Sequence, residues 1–93
     1  MYEIEQLEPF SAWLRGLKDI KAKARVERAS KGNFGDWSPE GGEVRAMRID
    51  CGPGYRLYYT IRRNRVVFLL CGGNKRTQAA DIKQAHKLVK EIA

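Results

Sequence analysis

The chain has one histidine and two cysteines, and over the 33 residues from Val44 to Arg76 it has one acidic side chain. Each shortage excludes something. Cys51, Cys71 and His86 do not stand at metal-ligand spacing, so no zinc framework and no metal site is expected, and nothing calls for a cofactor. The cysteines read as small buried strand residues without a redox role. His86, on the apolar stripe of a helical segment, reads as a packed residue rather than a catalytic one. No apolar run approaches the roughly 20 residues that span a bilayer, and Met1-Tyr2-Glu3-Ile4-Glu5 lacks the basic start and apolar stretch of a signal peptide, so a cytoplasmic protein with no membrane partner is expected. No repeat, linker or low-complexity segment interrupts the 93 residues, and residues 1–93 are expected to form a single domain.

What is present is positive charge, and it is unevenly placed. Between Val44 and Arg76 lie eight basic side chains, Arg45, Arg48, Arg56, Arg62, Arg63, Arg65, Lys75 and Arg76, against Asp50 alone, while the other 60 residues carry ten of each sign. The net charge of +7 therefore belongs to one segment. Charge gathered in this way makes a local field of the kind with which small proteins meet phosphate. Hydrophobic residues at 43% and charged residues at 31% describe a folded chain rather than a disordered one.

The periodicities predict an α+β fold. Tyr2, Ile4 and Leu7 interleave with Glu3, Glu5 and Gln6 as in a short strand with one wet face. After Pro9, which suits a first helical turn, Phe10, Trp13, Leu14 and Leu17 fall at helical spacing. A second helix over about Asp19 to Lys31, with Ala22, Val26 and Ala29 as a thin apolar stripe and Gly32 as its stop, completes a helical hairpin. Asn33 to Gly42 reads as a loop. Period two then begins: Met47, Ile49 and Cys51 share one face of a strand, Ala46, Arg48 and Asp50 the other. Cys51-Gly52-Pro53-Gly54 makes a turn into Tyr55 to Arg62, with Tyr55, Leu57, Tyr59 and Ile61 on one side and Arg56, Tyr58, Thr60 and Arg62 on the other. Arg63-Asn64 turns the chain into Arg65 to Cys71, apolar on both faces as a central strand would be. A last helix, from about Thr77 to the end, carries Ala79, Ile82, Ala85, His86, Val89 and Ile92 along one stripe. The expected order is an N-terminal strand, a helical hairpin, an antiparallel three-stranded meander and a C-terminal helix.

On that layout Arg48, Arg56, Tyr58 and Arg62 converge on one sheet face, a surface that suits an RNA backbone with a base laid on a ring. Arg48 and Arg56 opposed across strands repel unless an anion joins them. Arg62, Arg63 and Arg65, at a hairpin tip, are either RNA contacts or ordinary solvated turn residues. Gly72-Gly73-Asn74-Lys75-Arg76 is either a small anion site at a helix start or a plain strand-to-helix turn, and it is not a P-loop. Phe10, Trp13, Tyr55 and Tyr59 belong to the core, whereas Trp37 and Tyr58 are the rings expected to stack on bases. Arg45, Arg62, Arg63, Arg65, Arg76 and Trp37 make up the expected RNA-binding set.

Several of these segments resemble the RelE/ParE toxin superfamily of type II toxin–antitoxin systems, and within it the HigB-like branch, whose members are often labelled addiction module killer proteins. The likeness runs through Phe10 with Trp13-Leu14 and Leu17-Lys18-Asp19, Gly32-Asn33-Phe34-Gly35-Asp36, Arg48-Ile49-Asp50 with Gly52-Pro53-Gly54-Tyr55-Arg56, and Leu69-Leu70-Cys71-Gly72-Gly73 with Lys75, Gln78 and Asp81-Ile82. It implies a helical hairpin on a curved antiparallel sheet and a ribosome-dependent mRNA endonuclease that arrests translation. Its implied partners are the ribosome, mRNA and a cognate helix-turn-helix, HigA-like antitoxin. Arg48 and Arg56 then match the phosphate clamp, and Tyr58 or Lys75 would handle protons during attack of a 2′-hydroxyl on the neighbouring phosphate. The chain departs from the branch at Ala46, where glutamate is usual, at Cys51, where tyrosine is common, and at Asn74, where aspartate is common. A ParE-like inhibitor that binds DNA gyrase, or an attenuated antitoxin-binding module, are the alternatives the same resemblance leaves open.

Overall fold

A computed structural model describes residues 2–92; Met1 and Ala93, the latter the last position of the helix expected to reach the end, lie outside the described residues. The chain runs β1 (Glu3–Gln6), α1 (Glu8–Gly16), α2 (Ile20–Ala29), β2 (Trp37–Pro39), β3 (Arg45–Ile49), β4 (Tyr55–Arg62), β5 (Val66–Asn74) and α3 (Gln78–Glu91). It is an α+β domain in which the expected meander β3-β4-β5 is the middle of a five-stranded mixed sheet of order β1-β5-β4-β3-β2. β1 joins β5 in parallel, and all other pairs are antiparallel.

The local signals account for most of these elements. Pro9 lies in the first turn of α1, where its missing N–H leaves no helical bond unmade. Asp19 caps α2 by accepting the Ala22 N–H at 3.1 Å. Arg63 and Asn64, at φ 57° and 53°, form the two-residue left-handed turn that joins twisted strands most easily. One expectation fails: the segment read as a loop contains β2, whose Trp37, Ser38 and Pro39 pair with Met47, Ala46 and Arg45. Pro39 is tolerated because an edge strand has a side that needs no ladder N–H.

Both faces of the sheet are covered. On one, Phe10 of α1 and Val26 and Ala29 of α2 pack on Ile49, Leu57, Tyr59, Val67 and Leu69. On the other, Ala85 and Val89 of α3 pack on Val44, Ala46, Tyr58, Leu70 and Cys71. Full burial of side chains such as Phe10, Leu57 and Leu69 contributes about 1.5–3 kcal/mol each. A bulge adjusts the two layers to each other. The β4–β5 pairing steps from Tyr58 with Cys71 to Tyr59 with Leu69, so Leu70 is the extra residue, and Leu70 and Cys71 both face α3. Beyond the bulge, a Cβ at Gly72 would stand 2.2 Å from the Trp13 ring of α1, and one at Gly73 would clash with Asp81 of α3. These two glycines are close-approach points between layers, and the strand-to-helix explanation of Gly72-Gly73 is thereby replaced, since both lie within β5.

The docking of α3 overturns the expected wet basic face. Tyr58 and Thr60 are both fully buried, because a helix that follows β5 packs back across the middle of β4. Solvent reaches that face only near its ends, at Arg56 and at Arg62.

Candidate functional site

The site lies at the β3–β4 turn. Gly52 takes φ 59°, and a Cβ there would also come within 2.9 Å of the Asp19 carboxylate at the head of α2, so a left-handed, side-chain-free residue is needed at this point. The turn sets the register in which Arg48 stands directly opposite Arg56, a separation of about 4.5–5.5 Å between Cα atoms. Lys75, from the β5–α3 connection, leans over the same turn, its Cε 3.8 Å from a Cβ placed on Gly54. Around the three cations is a cavity of about 190 Å³, also lined by Asp36, Asp50 and Tyr55. That is roughly the volume of six waters.

The electrostatics of the cavity are incompletely balanced. Asp36 Oδ2 stands 3.7 Å from Arg48 Nε, with both side chains more than half exposed, so the pair holds by only about 0–1 kcal/mol. The Asp36 carbonyl accepts the Arg48 N–H at 2.9 Å, which fixes this carboxylate beside the cavity. Among the described residues Arg56 and Lys75 make no ion pair. Arg56 and Lys75 are therefore donors without dedicated acceptors and Arg48 has only the weak Asp36 pair, so a phosphate oxygen would fill that role.

Tyr58 is two residues from Arg56 on the same face, yet it does not enter the cavity. Its hydroxyl is buried without a hydrogen-bond partner. Burial, and after it the Asp81 charge, push its pKa up to about 12, and the nearby Arg56 charge only partly offsets the rise. The expected proton-handling and base-stacking roles of Tyr58 are thus corrected: a ring sealed under α3 touches no base, and a phenol held neutral to that pH accepts no proton near neutrality. Cys71 beside it is likewise pushed up to about 12 by burial and by Asp81. Ala46, the position at which glutamate is usual in the resembling branch, pairs with Tyr58 and is buried with it, so a carboxylate there would point under α3 rather than into the cavity.

The expected RNA-binding residues do not gather at this site. Arg62 donates from Nη1 to the Ile92 carbonyl at 3.2 Å, from Nη2 to the Val89 carbonyl at 3.0 Å and from Nε to Glu43 at 3.0 Å, so its guanidinium closes the C-terminal end of α3. Arg63 and Arg65 are exposed at the hairpin tip beside it, at the far end of the sheet. Arg45 lies over the Trp37 ring at 4.5 Å, which occupies one face of the ring with a cation. This pair sits on the Met47 side of β3, opposite in face to Arg48. Arg76 is exposed next to Lys75, but the free N–H groups expected of an anion site there are taken: Asn74 Oδ1 accepts from Arg76 N at 2.9 Å and from Thr77 N at 3.3 Å. Thr77 in turn donates to Asp81. His86 is a packed residue as expected, its Nε2 2.9 Å from the Glu40 carbonyl.

Two groups escaped the sequence. Asp36 reaches the cavity because β2 brings it against β3, and its signal was the short Asp36-Trp37-Ser38-Pro39 run hidden among glycines. Arg25 and Arg28 of α2 line a second cavity that shares Asp36, Arg48, Ile49 and Asp50 with the first. They were legible as a pair three residues apart, off the Ala22, Val26 and Ala29 stripe. Among the described residues no group of three or more His, Cys, Asp or Glu side chains could hold a metal ion, and no helix is long and apolar enough to cross a membrane.

No family model matches the chain. An uncharacterized protein of Haemophilus influenzae is 43% identical over 94 residues, which take in 97% of this chain and 95% of that protein.

Proposed function

We propose that this chain, which belongs to the same family as the Haemophilus influenzae protein, is an RNA-cleaving toxin of the RelE/ParE type, acting on mRNA at the ribosome and held in check by a cognate antitoxin. The observation that carries this is the opposition of Arg48 and Arg56 across β3 and β4 with Lys75 over the same turn, around a cavity wide enough for a phosphodiester. Like charges directly opposed destabilise a sheet, so this arrangement is favourable chiefly when an anion lies between them.

In the reaction the ribose 2′-hydroxyl attacks the adjoining phosphorus. It loses its proton to a base as the new P–O2′ bond forms, and the P–O5′ bond breaks as the leaving oxygen takes a proton from an acid. The products are a 2′,3′-cyclic phosphate and a 5′-hydroxyl. Arg48 and Arg56 hold the non-bridging oxygens and stabilise the extra negative charge of the transition state. With Tyr58 sealed away, Asp36 is the proton acceptor beside the clamp, and Lys75 is the proton donor to the leaving oxygen. The same burial of Tyr58 favours the second reading, a ParE-like inhibitor that only binds gyrase and needs no base. Induced expression with mRNA integrity and plasmid supercoiling followed in parallel tests the two. Fragmented mRNA with unchanged supercoiling supports the ribonuclease; intact mRNA with altered supercoiling removes it.

A further inference from the structure

α2 contributes a second basic surface that joins the site from the other side of β3. A cavity of about 390 Å³ lies between α2 and the edge of β3, lined by Arg25, Arg28, Asn33 and Met47 among others. It adjoins the first cavity through Asp36, Arg48, Ile49 and Asp50, which line both. This edge of β3 is open beyond Arg48, because β2 pairs as far as Met47 and the Asp36 carbonyl takes the Arg48 N–H as the last backbone bond on that side. Ala29 and Ile49 are buried and Met47 is half-buried, so the floor is apolar, and the rim carries Arg25, Arg28 and Arg48 against Asp36 and Asp50. Arg25 is anchored by donating to the Asp50 carbonyl at 3.1 Å, and Arg28 makes no ion pair among the described residues. The one acid of α2, Glu27, lines a different cavity, with Lys31 and Ile4, so Arg25 and Arg28 have no acid of their own helix beside them, and the cavity's three arginines stand against Asp36 and Asp50.

A solvated helix face would distribute its basic residues among acids and present no cavity. Here an apolar floor, two arginines and the Asn33 amide surround a space of nucleotide size, continuous with the phosphate clamp. We propose that this groove is a second RNA subsite, holding the nucleotide next to the one at Arg48 and Arg56, with Arg25 and Arg28 on its phosphate and Met47 and Ile49 under its base. The subsite rests on the ribonuclease reading and gives it a strand path: single-stranded RNA passes around the edge of β3, with Arg48 as the shared wall.

The test is binding of two dye-labelled, fully 2′-O-methylated RNAs that cannot be cleaved, a dinucleotide and a 12-mer, at several salt concentrations. The wild type binds the 12-mer more tightly. Arg25→Ala with Arg28→Ala weakens the 12-mer by roughly tenfold and lowers its salt slope by about 0.7, the share of the one phosphate no longer neutralised, while the dinucleotide is unaffected. Arg28→Ala alone gives about half the slope change, free of the Asp50 hydrogen bond that Arg25 makes, and paired Arg→Lys variants keep the slope. A 12-mer bound by the double alanine variant as by the wild type overturns the subsite, as does a wild type that gains nothing from length. In either case Arg56→Ala separates the two ideas: if it weakens both RNAs, the clamp stands without the groove, and if it weakens neither, both fall.

Discussion

Arg56 and Arg62 lie on the same face of β4, six residues and roughly 20 Å apart, and they are put to opposite uses. At the hairpin end, Arg62 directs its donors to the last carbonyls of α3 and to Glu43. At the turn end, Arg56 faces Arg48 and Lys75 around an open cavity. The two arginines are equivalent in composition and in strand phase. A basic residue becomes a binding residue when its donors have no acceptor within the fold, and Arg62 has three.

The contrast is sharpest in activity. Arg56→Ala should reduce RNA cleavage and growth arrest by about two orders of magnitude or more with little loss of stability, whereas Arg62→Ala should leave cleavage nearly intact. An Arg62→Ala protein that is fully folded and inactive would merge the two ends into one site. Next in size is the core between them. Leu57→Ala, one residue from Arg56 on the opposite, fully buried face, should cost about 2–5 kcal/mol by cavity formation, read from chemical denaturation. Arg62→Ala should then lower stability by roughly 1–2 kcal/mol, because the end of α3 loses charge-assisted bonds and a favourable dipole partner. Arg63→Ala and Arg65→Ala, exposed at the tip, should stay within about 0.5 kcal/mol, and a larger loss would mean the tip is not merely solvated.

A separate effect concerns pH and the buried ring between the two ends. Tyr58 has its pKa raised from 10.0 to about 12, so between these values the unfolded chain releases a proton that the folded chain keeps. The stability this group contributes is fully present below pH 10 and is lost as pH rises toward 12. Cys71 acts in the same direction, from 9.0 to about 12. Denaturation midpoints should fall over this alkaline range, and Tyr58→Phe should flatten the fall above pH 10. A wild-type tyrosine titration complete near pH 10 would show that the ring is not sealed.

Much of the architecture is legible in the sequence for local reasons. The strand alternation, the start of α2 at about Asp19, the Arg63-Asn64 turn and the opposition of Arg48 to Arg56 follow from short-range geometry, and each is present. β2 escapes such a reading because three paired residues among glycines carry almost no periodic signal. Arg25 and Arg28 escape it because their segment is neutralised when charge is summed over the 60 residues outside the basic stretch, although Glu27 sits on the other side of α2 from them.

The sequence by itself determined the order of helices and strands apart from β2, the two faces of the longer strands and the turn that sets two arginines opposite each other, because all of these depend on residues a few positions apart. Only the tertiary structure decided that the Tyr58 face is dry, that Arg62 belongs to the end of α3 and that α2 brings its arginines to the edge of β3. Whether a strand face is wet depends on where a helix from elsewhere in the chain comes to rest, and α3 begins 16 residues after the end of β4. Period two is the same in either case.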